Sequence, residues 1–271
     1  MLKISKFKAV RTLIKGQTRK AGRNSSGKIT VRHQGGGTKQ YYRMIDWLRE
    51  KEVNQVITQF EYDPNRSAYL AKLSSLNLWY EKNLFFCKEK DYYSYILAPK
   101  GVKIFDSLQT VNEIKNTIFL RPGDSSILAN FEVGDVLHNL AFLKGHPGLY
   151  ARAAGTFCQI MQNLDNNYIK IRLPSKNQRL FFPSVKATYG ILAKEDHYKQ
   201  NWKKAGRSRW LNIRPTVRGV AMNPIDHPHG GGQGKTKGGR PSVTPNSWPT
   251  KGYPTRKKSK RNVLILTKHK K

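Results

Sequence analysis

The chain has 271 residues and carries 50 Lys and Arg against 17 Asp and Glu, a net charge of +33 with a pI near 10.3. Such an excess points to a polyanionic partner, because confining like charge costs free energy that a polyanion relieves while it releases condensed counterions. No apolar run approaches the eighteen or so residues of a membrane-spanning helix, and two isolated cysteines, Cys87 and Cys158, support neither a disulfide framework nor a zinc ribbon built by this chain alone.

Residues 1–45 hold twelve basic residues and no acid, residues 46–200 hold twenty against sixteen, and residues 201–271 hold eighteen against one. A nearly neutral middle is therefore flanked by two basic arms, and four segments are expected: a basic extension over 1–47, barrels over 48–126 and 127–200, and a Gly/Pro-rich basic extension over 201–271. The first fifteen residues, MLKISKFKAVRTLIK, are basic, acid-free and mildly amphipathic. Organellar import signals share that pattern, but so does the plain start of a basic arm, which is the better reading.

Along the middle, Phe60-Glu61-Tyr62 runs into the turn signal Asp63-Pro64-Asn65-Arg66, and Ala68 to Leu73 reads as the next strand. Leu84 to Cys87 and Tyr92 to Ala98 follow, closed by Pro99-Lys100-Gly101, with further strands expected at Thr117 to Leu120 and Phe131 to Val133. From Val136 onward, Thr156 to Met161, Tyr168 to Leu173 and Leu180 to Phe182 are short strands divided by Asp165-Asn166-Asn167 and Ser175-Lys176-Asn177. Short strands at this spacing, with turn chemistry between them, predict two small β-barrels in tandem. Helix is scarce, with one short piece expected near Asp196 to Lys204. The C-terminal arm lacks the aliphatic residues to offset a backbone entropy of roughly 1–2 kcal/mol per ordered residue, so it is expected to be disordered alone or ordered by a large partner.

The arms carry the chemistry. Asp226-His227-Pro228-His229 followed by Gly230-Gly231-Gly232 could in principle bind a metal or do acid–base work, but no third ligand lies nearby in the sequence. Close contact with RNA is the stronger reading, with imidazoles stacking and bare glycine amides facing phosphate. The N-terminal arm repeats these materials in Gly22-Arg23-Asn24-Ser25-Ser26-Gly27-Lys28 and in Arg32-His33-Gln34-Gly35-Gly36-Gly37. Neither stretch has the spacing of a phosphate-binding P-loop. Arg207, Arg209, Arg214 and Arg218, together with Lys235 and Arg240, have almost no acid nearby and are expected to meet phosphate. Trp202, Trp210 and Trp248 sit among basic residues, placed either to stack on bases or to pack on a barrel.

The stretches GRNSSGKITVRHQGGGTKQ (22–40), EYDPNRSA (61–68), ILAPKG (96–101) and RPTVRGVAMNPIDHPHGGG (214–232) resemble the universal large-subunit ribosomal protein L two family, in that family's order and over nearly the whole chain. The resemblance implies a mainly β fold, an OB-type barrel followed by a Src-homology-three-like small barrel, with long irregular basic extensions threaded into large-subunit rRNA. It further implies roles in assembly, in subunit association and in supporting the peptidyl-transferase region, which the family's loop approaches at the positions of Asp226, His227 and His229. The implied partners are large-subunit rRNA, neighbouring ribosomal proteins and the small subunit, with no membrane. Peptide bond formation belongs to the RNA, so no catalytic residue and no cofactor of the chain's own are expected, Mg2+ entering only as an ion held by the surrounding rRNA. Thr244-Pro245-Asn246-Ser247-Trp248-Pro249 departs from the family's usual Thr-Pro-Trp-Gly. The Gly-Arg-Asn-Ser-Ser-Gly and Gly-Gly-Arg-Pro-Ser-Val forms, with abundant Lys, Asn, Tyr, Ile and Phe, suit a mitochondrial member, and a bacterial cytoplasmic one is the alternative. Two other readings stay open from the residues alone: a metal-dependent nucleic-acid enzyme using Asp226, His227 and His229, and a free single-strand-binding module built on the OB-type barrel.

Overall fold

The computed structural model describes residues 9–50, 54–75, 93–114, 119–164, 168–234, 238–253 and 264–267. They fall into two units: Met1–Gln17, Lys39–Asn201 and Val263–Lys271 form one, and Thr18–Thr38 with Trp202–Asn262 form the other.

The first unit holds both barrels. Strands β1 (Ile14–Gly16) and β2 (Tyr41–Arg43) make a short antiparallel ribbon that leads into β3 (Gln55–Glu61), β4 (Leu70–Ser75), β5 (Tyr93–Leu97) and β6 (Ser107–Leu108). The last four form an antiparallel sheet in the order β5-β4-β3-β6, curled as the OB-type barrel, with Ile57 opposite Leu73 and Leu70 opposite Leu97. Alternation along β4, with the register shift between Ile57 and Gln59 in β3, sends Ile57, Phe60, Ala71 and Leu73 inward, where Ile96, Val102 and Leu108 complete the core. The predicted turn after β3 forms as its chemistry requires: fully buried Asp63 accepts the Asn65 amide at 2.8 Å and pairs with Arg66 at 2.5 Å. Behind this barrel the Tyr95 hydroxyl accepts from the Val10 amide at 3.1 Å and donates to Glu61 at 2.9 Å, tying the start of the described chain to the sheet.

The second barrel is built from β7 (Thr110–Val111), β8 (Ser125–Ile127), β9 (Val136–His138), β10 (Leu140–Ala141), β11 (Gly148–Tyr150), β12 (Cys158–Leu164), β13 (Tyr168–Arg172), β14 (Gln178–Phe181), β15 (Lys186–Tyr189) and β16 (Ile265–Thr267). Its main sheet runs β16-β14-β13-β12-β9-β15-β8-β7, antiparallel except for the β7–β8 pair, and curls into the Src-homology-three-like barrel. Leu128, Phe131, Leu137, Leu140, Cys158, Ile160, Ile171 and Phe181 fill it. Cys158 is a free, wholly buried thiol whose pKa burial pushes up to about 12, the chemistry of a small core residue.

Several sequence expectations shift. Phe131 to Val133 is not a strand: Phe131 closes a 3-10 turn over Leu128–Asn130, and Asp135 caps the Glu132 amide at 2.9 Å in the bend that follows. The strand lies earlier, at the polar β8, whose Ser125 hydroxyl donates to the Ala187 carbonyl. The expected helix at 196–204 is a 3-10 segment, Glu195–Lys199, followed by Lys203 at φ 61° and then a short α-helix, α1 (Gly206–Trp210). Leu84 to Cys87 and Thr117-Ile118 lie outside the described residues.

One buried imidazole makes this unit sensitive to acid. His138 on β9 is 1% exposed, and since the Gly190 carbonyl at 2.8 Å can only accept, Nδ1 carries the proton. Burial, with a smaller push from the Arg49 charge, lowers its pKa from 6.5 to about 4. The unfolded chain therefore takes up this proton first as pH falls. The stability tied to neutral His138 is complete above about 6.5, is lost progressively towards 4, and levels off below. Unfolding free energies from urea denaturation at pH 7 and pH 4.5 are expected to differ by on the order of 2–3 kcal/mol from this group, and His138→Gln should flatten that part of the profile.

Candidate nucleic-acid interface

The second unit joins the two arms. Its two segments contain twenty Lys and Arg and a single acid, Asp226. Among its described residues only Gly35 and His227 are buried, so it has no apolar core, and backbone hydrogen bonds hold it.

In the N-terminal arm the Gly22 carbonyl accepts from the amides of Thr30 and Val31 at 2.9 and 3.0 Å, folding the arm back on itself. Gly22 has φ 73°, and a Cβ there would lie 1.9 Å from the Val31 oxygen, so only glycine fits. The Asn24 side chain accepts from the Lys28 amide at 3.0 Å and closes the loop that carries Arg23 and Lys28, both exposed, with exposed Arg32 beyond it. His33, Gln34 and Gly35 then run antiparallel to Asn212–Arg214: the Arg214 amide donates to His33 at 3.0 Å, the Gly35 amide donates to Asn212 at 3.1 Å, and Gln34 bridges Ile213. Gly37 faces the Trp210 oxygen and the Asn212 nitrogen at distances, 2.7 and 2.9 Å, that leave no room for a side chain. Arg19 adds a bond to the Gly36 carbonyl at 2.7 Å. This seam sets out Arg209, Arg214 and Arg218 as exposed cations, with Arg207 half-buried in α1.

The Asp-His-Pro-His loop differs from its sequence reading. His227 is 8% exposed, lies against Gly219, and stacks on His229 with ring centroids 5.1 Å apart. Its Nδ1 accepts the His229 amide at 3.0 Å. His229 Nε2 accepts the Val243 amide at 3.1 Å, so its Nδ1 carries the proton towards the Gly238 carbonyl at 3.3 Å. The Gly230 amide returns to His227 at 2.8 Å and the Gly231 amide to Met222 at 3.1 Å. The two imidazoles thus brace the loop from inside, and what it turns outward is Asn223-Pro224-Ile225-Asp226, with Ile225 93% exposed. Three of the four ring nitrogens are committed to backbone groups, and no three His, Cys, Asp or Glu side chains converge as a metal site among the described residues.

Of the other expected contacts, Gly232 and Arg240 are exposed, Gly36 lies open above Arg209, and Lys235 lies outside the described residues. Trp202, Trp210 and Trp248 are 42%, 52% and 62% exposed, and the Lys204 ammonium lies 4.8 Å from the Trp210 ring. The unusual Thr244–Pro249 stretch makes a tight turn in which the Thr244 and Trp248 backbones pair at 2.8 Å. Sequence reasoning missed Arg19, whose guanidinium reaches the Gly36 carbonyl, and Asn212, Gly219 and Val243, whose backbone groups or close approach matter and which carry no distinctive side-chain signal. It could have flagged Gly219, a lone glycine between Arg218 and Val220.

Two small barrels and a coreless, strongly basic unit define an RNA-binding protein built to be completed by its nucleic acid. Family models agree: Ribosomal Proteins L2, RNA binding N-terminal domain, matches residues 10–110, and Ribosomal Proteins L2, C-terminal domain, matches residues 121–247. The chain is 44% identical over 263 residues to Large ribosomal subunit protein uL2m of Reclinomonas americana, covering 97% of this chain and 89% of that one. It is 45% identical over 257 residues to Large ribosomal subunit protein uL2 of a Wolbachia endosymbiont of Drosophila simulans (95% and 88% covered), and 45% identical over 256 residues to that of Ehrlichia chaffeensis (94% and 86%). The chain belongs to the ribosomal protein L2 family.

Proposed function

We propose that this chain is a structural constituent of the large ribosomal subunit that binds large-subunit rRNA and, through that contact, supports assembly, subunit association and the peptidyl-transferase region. The observation that carries the reading is the second unit, whose two segments carry twenty cations and one acid and whose described residues are held by backbone hydrogen bonds without an apolar core. A fold of that kind gains its missing stabilisation from a polyanion that accepts its charge and fills the space a core would fill. The barrels act as the docking body, and the exposed tip 223–226 is the part of the histidine loop offered to the RNA. The internal commitment of both imidazoles favours a positioning loop over a catalytic or metal-binding one. The Lys-, Asn- and Tyr-rich composition supports a mitochondrial ribosome, although mitochondrial and bacterial relatives lie at nearly equal identity.

Sedimentation of lysate on sucrose gradients tests the reading. Co-migration with large subunits through a high-salt wash is expected, and protein remaining at the top of the gradient beside intact subunits would sink it. A finer test uses Arg214→Glu with Arg218→Glu. If both cations meet phosphate, the slope of log K against log salt should fall by about 2. An unchanged slope would remove these two residues from the interface.

A further inference from the structure

We propose that Phe105 is a stacking post for an unpaired RNA base beside the first barrel, a site that rests on the RNA-binding reading above and lies outside the basic arms.

Residues Lys103 to Asp106 form a tight turn just before β6. The Asp106 amide reaches the Lys103 carbonyl at 3.4 Å, and the Asp106 carboxylate accepts the Lys103 amide at 2.7 Å. Phe105 and Asp106 together face the single residue Ile57 of β3: the Phe105 amide donates to the Ile57 carbonyl at 2.7 Å, and the Ile57 amide donates to the Asp106 carbonyl at 3.0 Å. Two residues opposite one is a bulge, and here it fixes the turn to the sheet. Buried Val102 and Leu108 anchor it on both sides.

At the third position of this turn, Phe105 stands at φ 74°. Turns give that position to glycine, because a side chain there is strained. Phe105 is nevertheless a full aromatic ring, 73% exposed, so it serves neither the turn nor the core. A strained residue held by several surrounding bonds, with its side chain in solvent, is the arrangement expected of a contact point. The charge identifies the occupant. Lys103, exposed two residues away, can meet the phosphate of a nucleotide whose base lies on the ring. The matched RNA-binding family model also spans this turn.

The experiment places a benzoylphenylalanine photo-crosslinker at position 105 of the full chain and irradiates isolated large subunits. A crosslink to an unpaired rRNA nucleotide is expected. A crosslink to a neighbouring protein, or none, overturns the proposal. Gradient fractionation of the same sample shows separately whether the chain is in the subunit at all, so failure of the ribosomal reading is told apart from failure of this site. In parallel, affinity for a large-subunit rRNA transcript should follow Trp ≥ Phe > Leu > Gly at position 105, with Phe105→Gly losing roughly tenfold. Because glycine suits the turn, that variant should melt no lower than the parent. A leucine as good as phenylalanine would mark a contact of volume rather than stacking and would overturn the assignment.

Discussion

Arg49→Ala should cost the barrel unit about 3–5 kcal/mol, the penalty of removing one partner from a buried charged network, and lower its melting temperature by roughly 10 °C. Arg49 is 3% exposed. Burial pulls its guanidinium pKa down from the usual value, and the charges of Asp46 and Asp124 pull it back up. Its Nη1 donates to the Gly123 carbonyl at 3.3 Å and its Nη2 to the Thr110 hydroxyl at 3.1 Å, while its own carbonyl accepts from Lys186 at 3.0 Å. One residue therefore ties the irregular segment between β2 and β3 to β7, to the turn before β8, and to β15. Truncation leaves two buried acceptors unmet and removes a positive charge from near the buried Asp124 carboxylate, which keeps its bonds from Gln109 and Arg121. Arg49→Lys should fall between parent and alanine, because a single ammonium cannot satisfy two separated acceptors. Urea unfolding of the three proteins measures this, and a loss under 1 kcal/mol for alanine would mean that the barrels do not depend on the pair. His138 gives a second readout: without the nearby guanidinium its pKa should rise towards 6.5, so the acid-linked loss of stability from this group should shrink.

Much of this molecule could be read from its residues. Charge asymmetry set the arms at 1–47 and 201–271, whereas residues 9–17 and 39–47 group with the barrels; apolar runs bounded by turn signals pointed to β4, β5, β12 and β13, of which β13 alternates cleanly. Polar structure was harder to see. Ser125 and Ser126 are buried at 2% and 0%, yet their hydroxyls hide β8 from any pattern based on hydrophobicity, and Phe131 drew the expected strand away although it is buried in a turn. The joining of the arms was invisible for a related reason: the pairing of 33–35 with 212–214 is made by backbone groups, which every sequence possesses. What the sequence did supply was its condition, since Gly22 and Gly37 occupy places where a Cβ would collide with backbone. The histidines show the converse. The bonds they make within their own loop were not legible, because an imidazole facing RNA and one bracing its own loop are written with the same letters.

That bracing can be tested at His227. His227→Ala removes the acceptor of the His229 amide and the ring that packs on Gly219, while leaving the barrels untouched. An orphaned buried amide costs about 1–3 kcal/mol. In a unit without an apolar core that cost falls on the fraction of chain already in the binding conformation. Affinity for rRNA should therefore drop by at least about tenfold, with the barrel melting temperature unchanged. His227→Asn can place an oxygen where Nδ1 stood and should recover much of the loss, whereas His227→Gln reaches instead to the position of Nε2 and should not. Gly219→Ala should copy the alanine defect from the other side, since its Cβ would lie 2.5 Å from the imidazole. If the His227→Asn and His227→Gln proteins bind equally badly while Gly219→Ala binds normally, the imidazole acts by touching the RNA itself and the bracing role is wrong. The predicted order, parent above asparagine above glutamine and alanine, follows from one nitrogen and the amide it holds.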